Sequence, residues 1–277
     1  MVRRRSLGIV VSVVMLIAVL TACGQKDDKS QDSWEKVKEK GKIVIGTSGT
    51  YYPMDYKDAK SNELTGFEVE IAKEFSKRLG VKAEFKTMEF DGILPALRNG
   101  QIDLAANNFT VNEERKKKFD FTIPYKYSYG TIVVRSSDSS GIKSVDDFKN
   151  KKFGGSPTSN FADFSRAHGA EVVSYTEGTD TILRDIAVGR IDGFLNDHLM
   201  IELALKQLND DRLKMLGDIK FQPNVGVMVM KKDNDELKKK VDGAIKDMLE
   251  DGTIKKLSEK FLGSDVTKKV DEKDIVE

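Results

Sequence analysis

The stretch Asn107-Asn108-Phe109-Thr110-Val111-Asn112-Glu113-Glu114-Arg115 gathers a planar two-pronged cation, a hydroxyl and a helix-capping side chain. Arg115 offers paired N–H donors in the spacing of a carboxylate, and Thr110 adds a third donor. Asn112 is suited to cap a helix whose first turn carries Glu113 and Glu114, leaving free backbone N–H groups beside the end of the preceding strand. Together these residues specify a carboxylate. Taken alone, Arg115 reads equally well as one member of the solvated charged run 113–118.

The elements that must position these groups are strands and helices in alternation. Lys42 to Thr47 (KIVIGT) reads as a strand, and Phe67 to Leu79 as a helix with Ile71, Phe75 and Leu79 on one face and Gly80 as its stop. A strand over 81–88, a short helix over 92–98 and a strand over 102–106 follow. A second set begins near Gly130, with a strand at Gly130-Thr131-Ile132-Val133-Val134, helices over 162–168 and 181–188, and strands at Val172-Val173 and 191–195. Val225 to Met230 reads as one strand, ahead of helices over 236–249 and 253–262. Such alternation predicts two α/β units, each a mostly parallel sheet flanked by helices, with ligands expected beyond the carboxyl ends of the strands.

The N-terminus sets the expected compartment. Arg3-Arg4-Arg5 precedes an uncharged, mostly apolar run from Leu7 to Ala22, the layout of a secretory signal, and the run is short for a bilayer span. It ends in Leu20-Thr21-Ala22-Cys23, small residues ahead of a cysteine whose thiol is the expected lipid-attachment site. Residues 1–22 are therefore expected to be removed, and 23–33, polar and without periodicity, to form a tether from lipidated Cys23. The expected location is the outer face of a bacterial cell membrane. Cys23 is the sole cysteine, so no intramolecular disulfide forms. The formal charge of +1 turns slightly negative once the three arginines leave, which gives no reason to expect nucleic acid.

Enzymatic readings find little support. His168 and His198 lack metal-ligand spacing, and neither a Gly-x-Ser-x-Gly elbow nor a phosphate loop occurs. No cofactor is expected.

From Lys42 to about Lys268 the chain resembles the polar amino-acid family of solute-binding proteins that serve ATP-driven (ABC) importers. The residues that carry the likeness are Tyr52-Pro53, Gly66 through Ala72, Phe90 through Leu97, Thr110 through Tyr125, Gly189 through Gly193, Asp197, and Asp251-Gly252-Thr253. The resemblance implies the two-lobed periplasmic-binding-protein-like type II fold. Lobe 1 would comprise 34–128 and 225–277, lobe 2 would comprise 129–224, and the crossings would lie near 127–131 and 221–226.

The same resemblance assigns roles. Arg115 and Thr110 match positions that hold an α-carboxylate, and Asp197 matches the acid that takes an α-ammonium. Tyr51 and Phe90 match aromatics that sandwich the ligand side chain, and Thr158, Ser159 and Asn160 match a loop whose backbone donors complete the carboxylate cage. A fixed cation, a fixed anion and dehydrating walls are what a zwitterion requires. Asp197 alone would also pass for a surface acid opening a helix, and Tyr51 or Phe90 for ordinary core. Ser48 and Ser156 stand where glutamine-binding relatives tend to carry an acid and a lysine. Asn107-Asn108, Ser159-Asn160-Phe161 and the tail 257–268 are most similar to the cystine-binding branch. The expectation is a monomeric, lipid-anchored receptor that closes on an amino acid, cystine or another neutral polar one, and hands it to an importer permease. Two other readings on the same fold are a dehydratase of cyclic acids, with Asp197 as general acid, and an adhesin or sensor lipoprotein.

Overall fold

The computed structural model describes residues 33–176, 178–271, 273, 275 and 276. The leader 1–22, Cys23 and the tether up to residue 32 lie outside the described residues. None of the helices among the described residues is long and apolar enough to cross a membrane.

The chain opens with α1 (Ser33–Lys40), which buries Val37, and β1 (Lys42–Thr47). Three short strands, β2 (Thr50–Tyr51), β3 (Asp55–Lys57) and β4 (Leu64–Thr65), form a small antiparallel sheet. Helix α2 (Phe67–Arg78) buries Ile71 and Phe75 of the predicted stripe together with Phe67, while Leu79 caps the helix and is half-buried. Then come β5 (Lys82–Thr87), α3 (Phe90–Arg98), β6 (Leu104–Ala105), the single turn α4 (Glu113–Lys116) and β7 (Phe119–Phe121).

The second set comprises β8 (Lys126–Arg135), β9 (Lys152–Gly155), α5 (Asn160–Ala167), β10 (Glu171–Ser174), α6 (Thr179–Ala187), β11 (Gly193–Asp197), α7 (His198–Leu208) and β12 (Leu213–Met215). Strands β13 (Phe221–Gly226) and β14 (Val229–Lys231) and helices α8 (Asp235–Glu250) and α9 (Thr253–Leu262) complete the order.

Two large sheets result. The first has the order β5-β1-β6-β14-β7, and the second β10-β9-β11-β8-β12 with β13 also paired to β8. In each, the strands joined by helices run parallel, whereas β14 in the first sheet and β8, β12 and β13 in the second pair antiparallel. The sheets are thus more mixed than alternation alone predicts, because the segments that cross between them enter from the opposite direction. Ile43, Ile45, Phe75, Met230 and Val241 share one core, and Ile132, Phe148, Phe153, Leu195 and Phe221 share another.

The run 225–230, which reads as one strand in sequence, is two. Val225 and Gly226 pair with Tyr127 and Lys126 in the second sheet, while Val229 and Met230 pair within the first. Between them Val227 N–H donates to the Phe109 carbonyl at 3.0 Å and Met228 N–H to Thr122 Oγ1 at 3.0 Å, so the backbone stays satisfied as it changes sheets. Continuous apolar character across a crossing leaves no mark in the pattern. On the other passage between the sheets β7 ends at Phe121 and β8 begins at Lys126, and residues 126–130 of β8 pair antiparallel with β13.

Candidate functional site: a cleft walled by both sheets

An open cleft of about 1050 Å³, solvent at its opening included, lies between the strand ends of the two sheets. Ser48, Tyr51, Glu89, Phe90, Asp91, Asn107 and Asn108 come from the first, and Gly155, Ser156, Ser159, Asn160, Phe194 and Asn196 from the second. Phe153, Val172, Ile182 and Phe194 of the second unit add apolar lining.

Of the residues the sequence singles out, Tyr51, Phe90, Asn107, Asn108, Ser159 and Asn160 line this cleft. Phe90 stacks on Phe109 with ring centroids 5.1 Å apart, which fixes its plane. The Tyr51 hydroxyl donates across the cleft to Asn196 Oδ1 at 2.7 Å. Burial pushes its pKa up, with Asp197 adding to the effect, so the phenol stays a donor. Ser159 caps α5, its Oγ accepting from the Ala162 N–H at 3.1 Å, so the first N–H groups of that helix begin at the cleft wall.

Arg115 is 6 % exposed, and its guanidinium donates to the carbonyls of Thr110 at 3.0 Å and of Thr158 at 3.2 Å. Thr110 and Thr158 thus meet Arg115 through their carbonyl oxygens rather than through hydroxyl or N–H donors. Asn112 caps α4 as expected, accepting from the Arg115 N–H at 2.8 Å. Among the described residues no carboxylate forms an ion pair with Arg115. Burial pushes its pKa down to about 10, partly offset by the distant Asp163. Two carbonyls satisfy only part of a five-donor cation.

The structure departs from the sequence expectation at Asp197. Its side chain is fully buried and does not form part of the cleft wall. Oδ2 accepts from Lys126 Nζ at 2.5 Å and Asn224 Nδ2 at 2.6 Å, and Oδ1 from Ser128 Oγ at 2.8 Å and Leu199 N at 2.9 Å. The physical reason is a lysine on another strand, which no reading of the residues around Asp197 could reveal.

Several cleft groups escaped the sequence reading. Asp91 accepts from Ser156 Oγ at 2.5 Å and from Thr158 Oγ1, drawing the two walls together. Glu89 stands exposed at the same rim. Beneath the floor lies Asp55, which accepts from Ser48 Oγ at 2.6 Å, from Gly49 N at 2.7 Å and from Asn107 Nδ2. Glu68 is buried beside it, accepting from the Asn108 N–H at 2.7 Å and from Tyr125 OH. Asn108 holds a left-handed backbone (φ 51°), and its side-chain oxygen is buried without a hydrogen-bond partner. Position and charge of these residues were visible in sequence; their convergence depends on contacts far apart in the chain.

Two sheets, two chain crossings and a cleft walled by both define a two-lobed solute-binding architecture. The chain belongs to the bacterial extracellular solute-binding proteins, family 3, whose model matches residues 43–264. It is 45 % identical over 259 residues to the Bacillus subtilis probable ABC transporter extracellular-binding protein YckB, covering 91 % of this chain and 90 % of YckB. It is 38 % identical over 257 residues to the L-cystine-binding protein TcyJ of Escherichia coli K12, covering 92 % and 95 %. Among solved structures it is similar to the Streptococcus pneumoniae amino acid ABC transporter substrate-binding protein AbpA bound to L-arginine. That match has a TM-score of 0.75 and 29 % identity, and covers 84 % of this chain and all of that one.

Proposed function

We propose that this protein captures one amino acid in the cleft and presents it to the permease of an ABC importer. The observation that carries the reading is Arg115, a buried guanidinium with donors to spare and, among the described residues, no carboxylate in an ion pair with it. An uncompensated buried cation is costly, and an α-carboxylate between the two walls would complete it. Such a ligand contacts both sheets at once, so it favours the closed arrangement over an open one, and that difference drives hinge closure.

L-cystine is the proposed ligand. The apolar lining from Phe153, Val172, Ile182 and Phe194 suits the methylene and disulfide middle of the molecule, Glu89 suits a second ammonium, and TcyJ is named for this ligand. Lipid attachment at Cys23 would keep the receptor beside its permease. A second reading, a basic amino acid, draws on Glu89 and Asp91 at the cleft rim and on the arginine-bound AbpA.

Mass spectrometry of the small molecules released when the purified protein is denatured, followed by calorimetry with L-cystine, L-glutamine and L-arginine, tests the proposal. L-cystine binding tightest is the expected result. Failure of every amino acid to bind would overturn the function, and tighter arginine binding would replace the ligand.

A further inference from the structure

Lys126 sits on the strand where the chain enters the second sheet, and it is fully buried. Its ammonium lies 2.5 Å from Asp197 Oδ2. A carboxylate presents about four lone-pair positions, and at Asp197 all four are taken, by Lys126, Asn224, Ser128 and the Leu199 N–H. Asn196, the residue immediately before, lines the cleft, so the pair lies directly behind the wall. The stem of Lys126 is accommodated by a glycine: a Cβ at Gly226 would stand 3.0 Å from Lys126 Cβ. Lys126 also lies within electrostatic reach of the buried carboxylate of Glu68.

We infer that Lys126 is a specificity-determining residue that competes with the ligand's α-ammonium for Asp197. The lysine ammonium is a tethered copy of the group an amino acid would bring. With Lys126 in place, Asp197 offers neither a free lone pair nor net negative charge. An incoming α-ammonium reaches Asp197 only by displacing Lys126, and Glu68 gives the displaced cation a second acid to turn to. Carboxylates that lack the ammonium do not meet this competition. The lysine therefore lowers affinity for amino acids selectively and narrows the preference for them over des-amino acids. This rests on the amino-acid reading above for the identity of the competing group.

The test pairs each amino acid with its des-amino counterpart: L-cystine with 3,3′-dithiodipropionate, L-glutamine with glutaramate, L-arginine with 5-guanidinopentanoate. Calorimetry is run on the full-length protein, on Lys126→Gln, which keeps a donor but removes the charge, and on Lys126→Arg, which keeps the charge. For Lys126→Gln the expected result is at least tenfold tighter binding of the amino acid, no gain for its des-amino counterpart, and a lower unfolding temperature without ligand. Lys126→Arg shows no gain. A lysine with a purely structural role would lower the unfolding temperature and leave the affinity ratio unmoved, and that outcome overturns the inference. If wild-type protein binds none of the three amino acids while Lys126→Gln binds one, the competition stands and the proposed function of the native chain fails. If both bind equally, the function stands and the competition fails, and if neither binds, both fail. Should Lys126→Gln not fold, the wild-type protein serves. A lysine held in a buried pair shows slowly exchanging ammonium protons by NMR; these are expected to disappear on addition of L-cystine, and their persistence with ligand bound overturns the inference.

Discussion

Tyr51 and Asn196 are 145 residues apart in sequence, yet the phenol of one donates to the amide oxygen of the other at 2.7 Å, joining the small β2-β3-β4 sheet to the end of β11 across the cleft. Asn196 Oδ1 also accepts from the Asp197 N–H at 2.7 Å, so the bridge is tied to the carboxyl end of β11, the central strand of the second sheet. Removing the hydroxyl in Tyr51→Phe leaves the ring and its packing in place. The variant is expected to lose about 0.5–1.5 kcal/mol of ligand affinity, read by calorimetry against an unchanged unfolding temperature.

Arg115 is absent from the cleft lining; it is buried with its guanidinium on the Thr110 and Thr158 carbonyls, and under the proposed function it meets the ligand's carboxylate. Arg115→Ala is expected to weaken amino-acid binding by about 2–5 kcal/mol, the range for cutting a buried charge pair. Arg115→Lys keeps the charge but not the planar fork and should recover only part of that loss. Unchanged affinity in the alanine variant would remove Arg115 from the site.

Asp91 takes hydroxyl donors from Ser156 and Thr158 on the facing wall. Asp91→Ala should open the equilibrium between the walls. Small-angle X-ray scattering of the ligand-free variant is expected to give a larger radius of gyration than wild type, with the two converging when ligand is saturating.

Asp55 and Glu68 make stability depend on pH in an unusual direction. Burial raises Asp55 from 3.8 to about 7, Glu68 adding to the effect while its own donors oppose it; burial likewise raises Glu68 to about 6. The folded state therefore holds these protons more tightly than the unfolded chain does. Their contribution is fully present below about pH 4 and is lost as pH rises through 6 and 7. The urea midpoint of the ligand-free protein is expected to be higher at pH 5 than at pH 7.5, and Asp55→Asn should shrink that difference.

Gly66 precedes α2 with φ 130°, and a Cβ there would lie 2.4 Å from the Met54 carbonyl oxygen. Gly66→Ala combines a backbone region open essentially to glycine with a collision against main chain. A loss of about 3 kcal/mol is expected, measured by chemical denaturation.

Much of the fold was legible in sequence because its helices carry their burial in their spacing. Phe67, Ile71 and Phe75 in α2, and Leu237, Val241 and Ile245 in α8, repeat at helical intervals and are the residues buried. The strand Lys42–Thr47 was equally plain. What failed was anything decided by a partner far along the chain. Nothing near residue 227 marks where a continuously apolar run leaves one sheet for the other. The two-residue strand Leu104–Ala105 is shorter than its apolar flanks suggest.

The site divides in the same way. Tyr51, Phe90, Asn107, Asn108, Ser159 and Asn160 were singled out from sequence and lie on the cleft wall. Asp197 was singled out too, but its surroundings are set by Lys126 and Ser128 on β8 and by Asn224 on β13, all distant from it in sequence. Glu89 and Asp91 looked like ordinary charges until the facing wall gave them a setting.

The order β5-β1-β6-β14-β7 has a consequence for how this chain is made. Strand β14 is the last of the sheet to leave the ribosome, yet it stands between two strands made over a hundred residues earlier, and β7 pairs within the sheet only with it. Until residues 229–231 emerge, β6 lacks one of its two neighbours and β7 its only one. The first unit is therefore held incomplete by its own connectivity through most of synthesis. Long-range closure of this kind is slow, and a chain that delays its own folding remains threadable for as long as translation lasts.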